Sequence, residues 1–471
     1  MADSLKFGTS GLRGLASDLV GAPAARYARA FISHLRHAGT LRPGMEILIG
    51  RDLRESSPAI AASVIAAAAE SGCQPVDCGA LPTPALALFA QTRQAPAVMI
   101  TGSHIPADRN GLKFYLPSGE VTKADEAGIL EALKSVPAGT APDVAAAPAP
   151  AATEAYLDRY RRAFPADTLA GLRIGVFQHS SVARDMLVAV LAALGATSVP
   201  LGRSDRFIPI DTEAMSAADA AQAQDWVIAE HLDALVSTDG DADRPLVADE
   251  TGAFLRGDLL GILTARFLGA DAVVTPVTSN SSIEGLGVFA NVVRTKVGSP
   301  FVIAGMQAAR AEGSGLVVGF EANGGVLLGS DATIEGRRIA ALPTRDAFLP
   351  ILAVLAGTRQ AGGTLSSLVA SLPSRVARSD RLEHVPPERT SALLARLRQP
   401  AEAADYFADI GPIGSVSDLD GLRFILASGD VIHYRASGNA PELRCYTEAA
   451  TAARADELLG WGLAAAAAVV R

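Results

Sequence analysis

Asp239, Asp241 and Asp243 stand two residues apart, separated only by Gly240 and Ala242 and followed at once by Arg244. Three carboxylates converging from one tight loop repel one another unless a cation sits among them. A donor set of oxygens alone, without histidine or cysteine, selects a hard ion, and magnesium is the usual choice where a phosphate completes the shell. The twelve-residue helix–loop–helix spacing of a calcium loop is absent. A solvated acidic turn is the plainer alternative. Against it, an apolar stretch that reads as a buried strand, Ala234 to Ser237, runs directly into the loop.

A second candidate lies upstream. The apolar run Ala97 to Ile100 ends in Thr101-Gly102-Ser103-His104, and Pro106 forbids a helix from continuing through. A buried strand feeding a small-residue loop displays a hydroxyl at a sheet end, with backbone amides free to receive phosphate. Ser103 is thus a candidate nucleophile or phosphoryl carrier, with an ordinary turn as the alternative. His104 beside it could tune a phosphoryl group or simply hydrogen-bond the loop. Lys113 stands alone among the apolar residues that resume at Leu112.

Further anion-binding chemistry is scattered along the chain. Lys6 to Gly14 carries Gly8, Gly11 and Gly14 with Thr9, Ser10 and Arg13, so backbone can approach a ligand that a planar cation also grips. Arg435, Ser437 and Gly438 form another such loop, to which Arg444 could add. Glu321 and Asn323, in a glycine-rich turn, suit the hydroxyls of a sugar, and Lys296 suits a phosphate.

These residues need elements to position them. At 471 residues the chain is too long for one core and points to three or four domains. With 49% hydrophobic and 19% charged residues it is globular, and its mean hydropathy of +0.25 comes largely from alanine in helical segments. No apolar run approaches the roughly 18 residues of a membrane span. The start, Met1 to Lys6, lacks the apolar region of a signal peptide. Three cysteines make neither a disulfide framework nor a zinc pattern, so a reducing cytoplasm is expected. A net charge of −9 disfavours non-specific nucleic-acid binding.

Periodicity predicts helices over 23–38, 57–70, 84–91 and 122–136, with strands over 46–50, 74–78 and 97–100. The alternation argues an α/β domain with a largely parallel sheet, 1–150, ending in a proline- and alanine-rich linker from Pro137 to Pro150. A second α/β unit, 151–250, has strands over 173–177, 197–201 and 234–237 with helices over 182–194 and 217–231. A third, 251–371, alternates helices over 258–268, 282–289 and up to 311 with strands over 272–276, 292–295 and 316–319. From 372 to 471 the pattern changes to hairpin strands, 416–426 and 431–434, around Ser428-Gly429-Asp430, with a further turn at Asp420-Gly421, and a final helix, an α+β domain. The three α/β units begin alike, but their letters do not align as a repeat.

The order of the motifs is more specific than any one of them. Gly-Thr-Ser-Gly-x-Arg-Gly, Thr-x-Ser-His-x-Pro with Asn-Gly-x-Lys, Asp-Gly-Asp-x-Asp-Arg, Gly-x-Glu-x-x-Gly and Arg-x-Ser-Gly-x-x-Pro follow one another. Together they resemble the α-D-phosphohexomutase family over essentially the whole chain. That resemblance implies four domains around a central cleft, with Ser103 as the phosphoserine and one magnesium held by Ser103, Asp239, Asp241 and Asp243. It places Arg13, Lys113 and Arg244 around the transferring phosphoryl group, with Lys113 and His104 competing for the proton. Glu321 and Asn323 would grip sugar hydroxyls, and Arg435, Ser437, Gly438 and Asn439 the non-reacting phosphate.

The implied activity is reversible phosphoryl transfer between mannose 6-phosphate and mannose 1-phosphate through a hexose 1,6-bisphosphate, which also serves as activator. Glucose phosphates are the nearest alternative substrates. A magnesium-dependent sugar-phosphate phosphatase is the alternative of another class. The expected partners are small hexose phosphates, with no nucleic acid and no membrane, for a monomer or homodimer.

The chain departs from the family pattern in places. Ile105 stands where Asn is usual, Ala242 replaces a Gly, and Asn439-Ala440 replaces Thr-Glu. Asn323 stands where the family often has Ser, which argues mildly against a glucosamine substrate.

Overall fold

Four short runs of β-branched and aliphatic residues each end in polar, glycine-rich turns, and in each case the chain reverses there. The computed structural model describes residues 4–8, 11–142, 144–213, 215–373, 375–437 and 441–470. In the first unit Ala97–Ile100 lies parallel to Glu46–Arg51 and antiparallel to Arg109–Leu116. The turn between Ala97–Ile100 and Arg109–Leu116 carries Ser103. Leu12–Leu15 adds antiparallel to Arg109–Leu116 with Arg13 opposite Gly111, which brings Arg13 and Lys113 to the same end of the sheet. The expected closing helix is Lys123–Ala132, begun by a capping box in which Thr122 and Asp125 satisfy each other's backbone amides.

The proline-rich linker is more structured than its composition suggests. Ala147–Pro148 joins the sheet edge beside Gln74–Ala80, where proline's missing donor leaves no partner unsatisfied. The helix Ala151–Ala163 follows at once.

In the second unit Arg173–His179 lies between the parallel strands Thr197–Arg203 and Ala234–Thr238, and Pro245–Ala248 returns antiparallel. Thr238 pairs with Pro245, so the aspartate triplet is the hairpin connection itself. The third unit repeats the plan. Ala272–Pro276 lies between Asn291–Thr295 and Val317–Phe320, and Val326–Leu328 reverses the last of these around Glu321 to Gly325. The helix predicted over 282–289 is a 3-10 turn, Ser281–Leu286, ended by Gly287 in the left-handed region. Two glycines in those eight residues, Gly285 and Gly287, disfavour a regular helix there.

The fourth unit is a wholly antiparallel sheet in the order Val376–Glu383, Glu442–Ala449, Val431–Ala436, Leu422–Leu426, Ile413–Ser417. The expected turn at Asp420-Gly421 divides the run 416–426 into the ends of Ile413–Ser417 and Leu422–Leu426. Gly421 has φ +82°, and a Cβ there would come within 2.2 Å of the Tyr434 carbonyl. Helix Ala452–Val470 packs on the sheet.

The fold is thus α/β with mixed sheets, plus an α+β C-terminal unit. One apolar core is continuous across the first three units through Leu48, Tyr156, Val176, Phe320 and Phe348. The fourth unit has its own, around Phe407, Phe424, Tyr434 and Leu458. Among the described residues no helix is long and apolar enough to cross a membrane. The cysteines Cys73, Cys78 and Cys445 are free and buried.

Candidate active site

The hairpin turns converge on one cleft of about 340 Å³. His104 lines it, and Ser103 beside His104 is fully buried, with φ +53°. The Ser103 hydroxyl donates to Asp239 Oδ2 at 2.6 Å across the boundary between the first two units. Its backbone amide donates to Thr101 Oγ1 at 2.7 Å, so the sequence Thr-Gly-Ser fixes its own turn.

The three aspartates are buried and offer oxygens that lie within 4.8 Å of one another. Asp239 Oδ1 accepts the amides of Asp243 and Arg244 at 3.2 Å each, which curls the loop around that carboxylate. Asp241 Oδ2 accepts from Thr83 Oγ1 at 2.6 Å and from Lys113 Nζ at 2.7 Å. Asp243 Oδ2 accepts from Lys113 Nζ and from Arg345 Nη2, both at 2.7 Å. The other oxygens, Asp241 Oδ1 and Asp243 Oδ1, are buried without a hydrogen-bond partner. Two orphaned carboxylate oxygens beside the Ser103–Asp239 pair are what a hard divalent cation requires. The donor set fits magnesium.

The electrostatics are those of a dense ionic cluster. Burial holds the Asp239 carboxyl well above the usual carboxylate range, reinforced by Asp241 and Asp243. Burial acts in the same sense on Asp243, but Arg345, Lys113 and Arg244 outweigh it and hold that group down. Burial alone would lower the Lys113 ammonium, yet Asp241 and Asp243 raise it on balance. Arg13 is lowered to about 10, by burial first and then by Arg244 and Arg345. His104 Nδ1 is 3.5 Å from the Ser103 hydroxyl; burial, then Arg244 and Arg13, push its imidazole far down, so it is neutral. Arg244 Nε lies 3.8 Å from Asp243 and 4.0 Å from Asp239, and its buried Nε and Nη1 have no hydrogen-bond partner. Unspent guanidinium donors over an acidic loop are suited to a phosphoryl group between them.

The far wall is built by the third and fourth units. Glu321, Asn323, Arg435, Ser437 and Arg444 line the cleft. Asn323 Oδ1 accepts the Gly325 amide at 3.0 Å, holding its turn closed. Arg435 Nε donates to Asp420 Oδ2 at 2.8 Å. Gly438 and Asn439 lie outside the described residues, as do Thr9 and Ser10. Lys296, expected at a phosphate, is exposed with its ammonium 6.0 Å from the Phe301 ring, and its neighbour Val297 lines the cleft instead.

All four units match models of one family. Residues 4–138 match the phosphoglucomutase/phosphomannomutase alpha/beta/alpha domain I, 154–252 domain II, 256–376 domain III and 390–460 its C-terminal domain. A phosphomannomutase of Sinorhizobium fredii is 52% identical over 98% of each chain.

The chain belongs to the phosphoglucomutase/phosphomannomutase family.

A phosphomannomutase of Salmonella muenchen is 44% identical over 94% of this chain and 92% of its own. The crystal structure of a putative phosphomannomutase from Thermus thermophilus superposes with a TM-score of 0.76 at 23% identity, covering 98% of this chain and 99% of that one. The fold and enzyme class are those of a phosphohexomutase.

Several residues of this phosphohexomutase site escape a motif reading. Arg345 bridges Asp243 and Glu321, with Nη1 donating to Glu321 Oε2 at 3.0 Å. Its signal was there: an Arg-Asp pair closing the strand Leu342–Asp346 just before an apolar helix must bury its charges against partners. Thr83 and Glu213, which sits 3.9 Å from Arg244 in the cleft lining, had no comparable signal.

Proposed function

We propose that this phosphohexomutase interconverts mannose 6-phosphate and mannose 1-phosphate, carrying the phosphoryl group on Ser103 and passing through a hexose 1,6-bisphosphate. The observation that carries the reading is the Ser103 hydroxyl held against Asp239 in a carboxylate cluster with two orphaned oxygens. The mannose assignment is supported by the names of the two similar enzymes.

Asp239, Asp241 and Asp243 would hold magnesium with the Ser103 oxygen. The ion would offset the charge of the phosphoryl group in flight. Around it, Arg13 and Arg244 supply cations whose fields act on the transferring oxygens, so the protein's contribution is positioning and preorganised charge. Lys113 is the proton carrier in this reading: it is protonated and points at the reacting centre, whereas burial among arginines makes His104 too weak a base. Glu321 and Asn323 bind sugar hydroxyls. Arg435 and Ser437, with Gly438 and Asn439, receive the phosphate that does not react, so either end of the bisphosphate can face Ser103. Hexose 1,6-bisphosphate is the activator because it restores phosphate to Ser103. The unit boundaries near residues 150, 250 and 371 are proposed from the same plan.

The test is intact mass of the purified protein with assays on mannose, glucose and glucosamine 1-phosphates. We expect one added phosphate, absent from Ser103→Ala, and a kcat/KM favouring mannose over glucose. A glucose preference above about tenfold, roughly 1.4 kcal/mol, removes the mannose assignment. Phosphate released to water at the rate of sugar-phosphate turnover marks a phosphatase instead.

A further inference from the structure

Ser103 is held from behind as well as from the cleft. Arg54 is 1% exposed, and all of its guanidinium N–H groups are engaged. Nη2 donates to the carbonyls of Ser103 at 2.9 Å and Ile105 at 2.6 Å, and Nη1 to those of Pro106 at 2.6 Å and Arg109 at 2.9 Å. Nε donates to Asp52 at 3.2 Å, and Asp52 also accepts the Thr101 hydroxyl at 2.8 Å. One planar cation therefore gathers the carbonyls of the loop and turns them away from the cleft. Ser103 sits in the left-handed region, which a residue with a side chain leaves unless it is held. The loop is moulded tightly to this cation, because a Cβ on Gly102 would lie 2.6 Å from the guanidinium carbon.

The second unit closes the arrangement. The Phe207 ring stacks over the guanidinium at 4.1 Å. A Cβ on Gly240, inside the aspartate loop, would lie 2.7 Å from that ring and 3.1 Å from the Ser103 carbonyl oxygen. Phe207 thus lies between the aspartate loop and Arg54, the cation that holds the Ser103 loop.

We propose that Arg54, with Phe207 stacked on it, is a positioning residue of the phosphoryl transfer: it fixes the Ser103 loop against the aspartate loop without touching substrate. The proposal rests on Ser103 being the phosphoryl carrier. A lysine could supply the charge but not the planar fork, so charge and geometry can be separated.

The experiment uses the full chain with hexose 1,6-bisphosphate. It measures kcat and KM on mannose 1-phosphate, the phosphorylated fraction of Ser103 by intact mass, and the melting temperature. Misplacement of a reacting atom predicts a kcat about 100-fold lower in Arg54→Lys, with KM within about threefold. The phosphorylated fraction falls with it. Guanidinium chloride at sub-denaturing concentration is expected to restore Arg54→Ala by about tenfold or more, which a purely structural loss would not allow. Phe207→Leu, which keeps apolar volume but removes the ring face, is expected to lose about fivefold in kcat at unchanged melting temperature, while Phe207→Tyr keeps it.

Wild-type kcat and phosphorylation in Arg54→Lys overturns the proposal. If the Arg54 variants do not fold, unchanged kcat in Phe207→Leu overturns it alone. Ser103→Ala separates the two levels: an inactive Ser103→Ala beside a fully active Arg54→Lys removes only the positioning role. An active Ser103→Ala removes the carrier and the positioning role together.

Discussion

The two walls of the cleft are built on opposite principles. On the Ser103 side, charges are buried and bonded from several directions: Asp241, Lys113, Asp243, Arg345 and Glu321 form one chain of contacts drawn from three units. On the fourth unit's side, Arg435 has, among the described residues, a single ion pair, to Asp420, and Arg444 is 3.6 Å from a partly exposed Glu442. The first wall is over-determined and suited to fixing a reacting atom. The second holds its cations with fewer contacts, which suits the role proposed for it of receiving either phosphate of a bisphosphate.

Removing the metal should test the difference most severely. Chelation is expected to abolish turnover, and added magnesium to restore it. Asp241→Asn should lower kcat by about 100-fold or more, because an anionic ligand for the cation that offsets the phosphoryl charge is lost. On the opposite wall, Arg435→Gln should act on binding. Loss of a charge-assisted contact of about 1.5–3 kcal/mol corresponds to a KM raised about 10- to 100-fold, with kcat within a few-fold. Equal losses in kcat at both walls would erase the distinction.

The buried histidines sharpen it in stability. His179 in the second unit and His433 in the fourth are both lowered to about 4, by burial first. Each donates its Nε2–H to a backbone carbonyl, of Thr238 and Asp420 respectively, and remains neutral at pH 7. Between pH 6.5 and 4 the unfolded chain takes up protons that the native imidazoles refuse, so stability is intact above 6.5 and falls as pH drops. Each should lose about 2 kcal/mol by pH 5, read as a lower urea midpoint. His433→Gln should remove the pH-dependent loss in the fourth unit and leave that of the body. The smallest effect is expected at Ala242, buried at φ +58° in the aspartate loop. A left-handed alanine is strained, so Ala242→Gly should gain about 0.5–1 kcal/mol in thermal unfolding.

Short polar turns after apolar strands made the chemistry legible. Ser103, the aspartate triplet, Glu321 and Arg435 all sit where a strand reverses, and each motif is contiguous in sequence. What stayed hidden was supplied from a distance. Arg54 meets the Ser103 carbonyl 49 residues away, and Arg345 meets Asp243 102 residues away. Such partners leave only a buried charge as their signature. The reversal after Ala97–Ile100, Ala234–Thr238 and Val317–Phe320 is a shared plan that no letter pattern reveals, because hydrogen-bond register fixes it while side chains vary. Lys296 shows the converse limit: a lysine in a short loop before Gly298 reads the same in sequence whether it faces the cleft or, as here, is exposed.

The unequal division of the cores has a consequence for tolerance to substitution. Helix Ala151–Ala163 presents Tyr156 and Tyr160 to Asp346 of the third unit, inside a core that begins in the first. A substitution there is felt in all three units, so they should lose stability together. The fourth, with a core of its own, can absorb a core substitution without disturbing the packing behind Ser103.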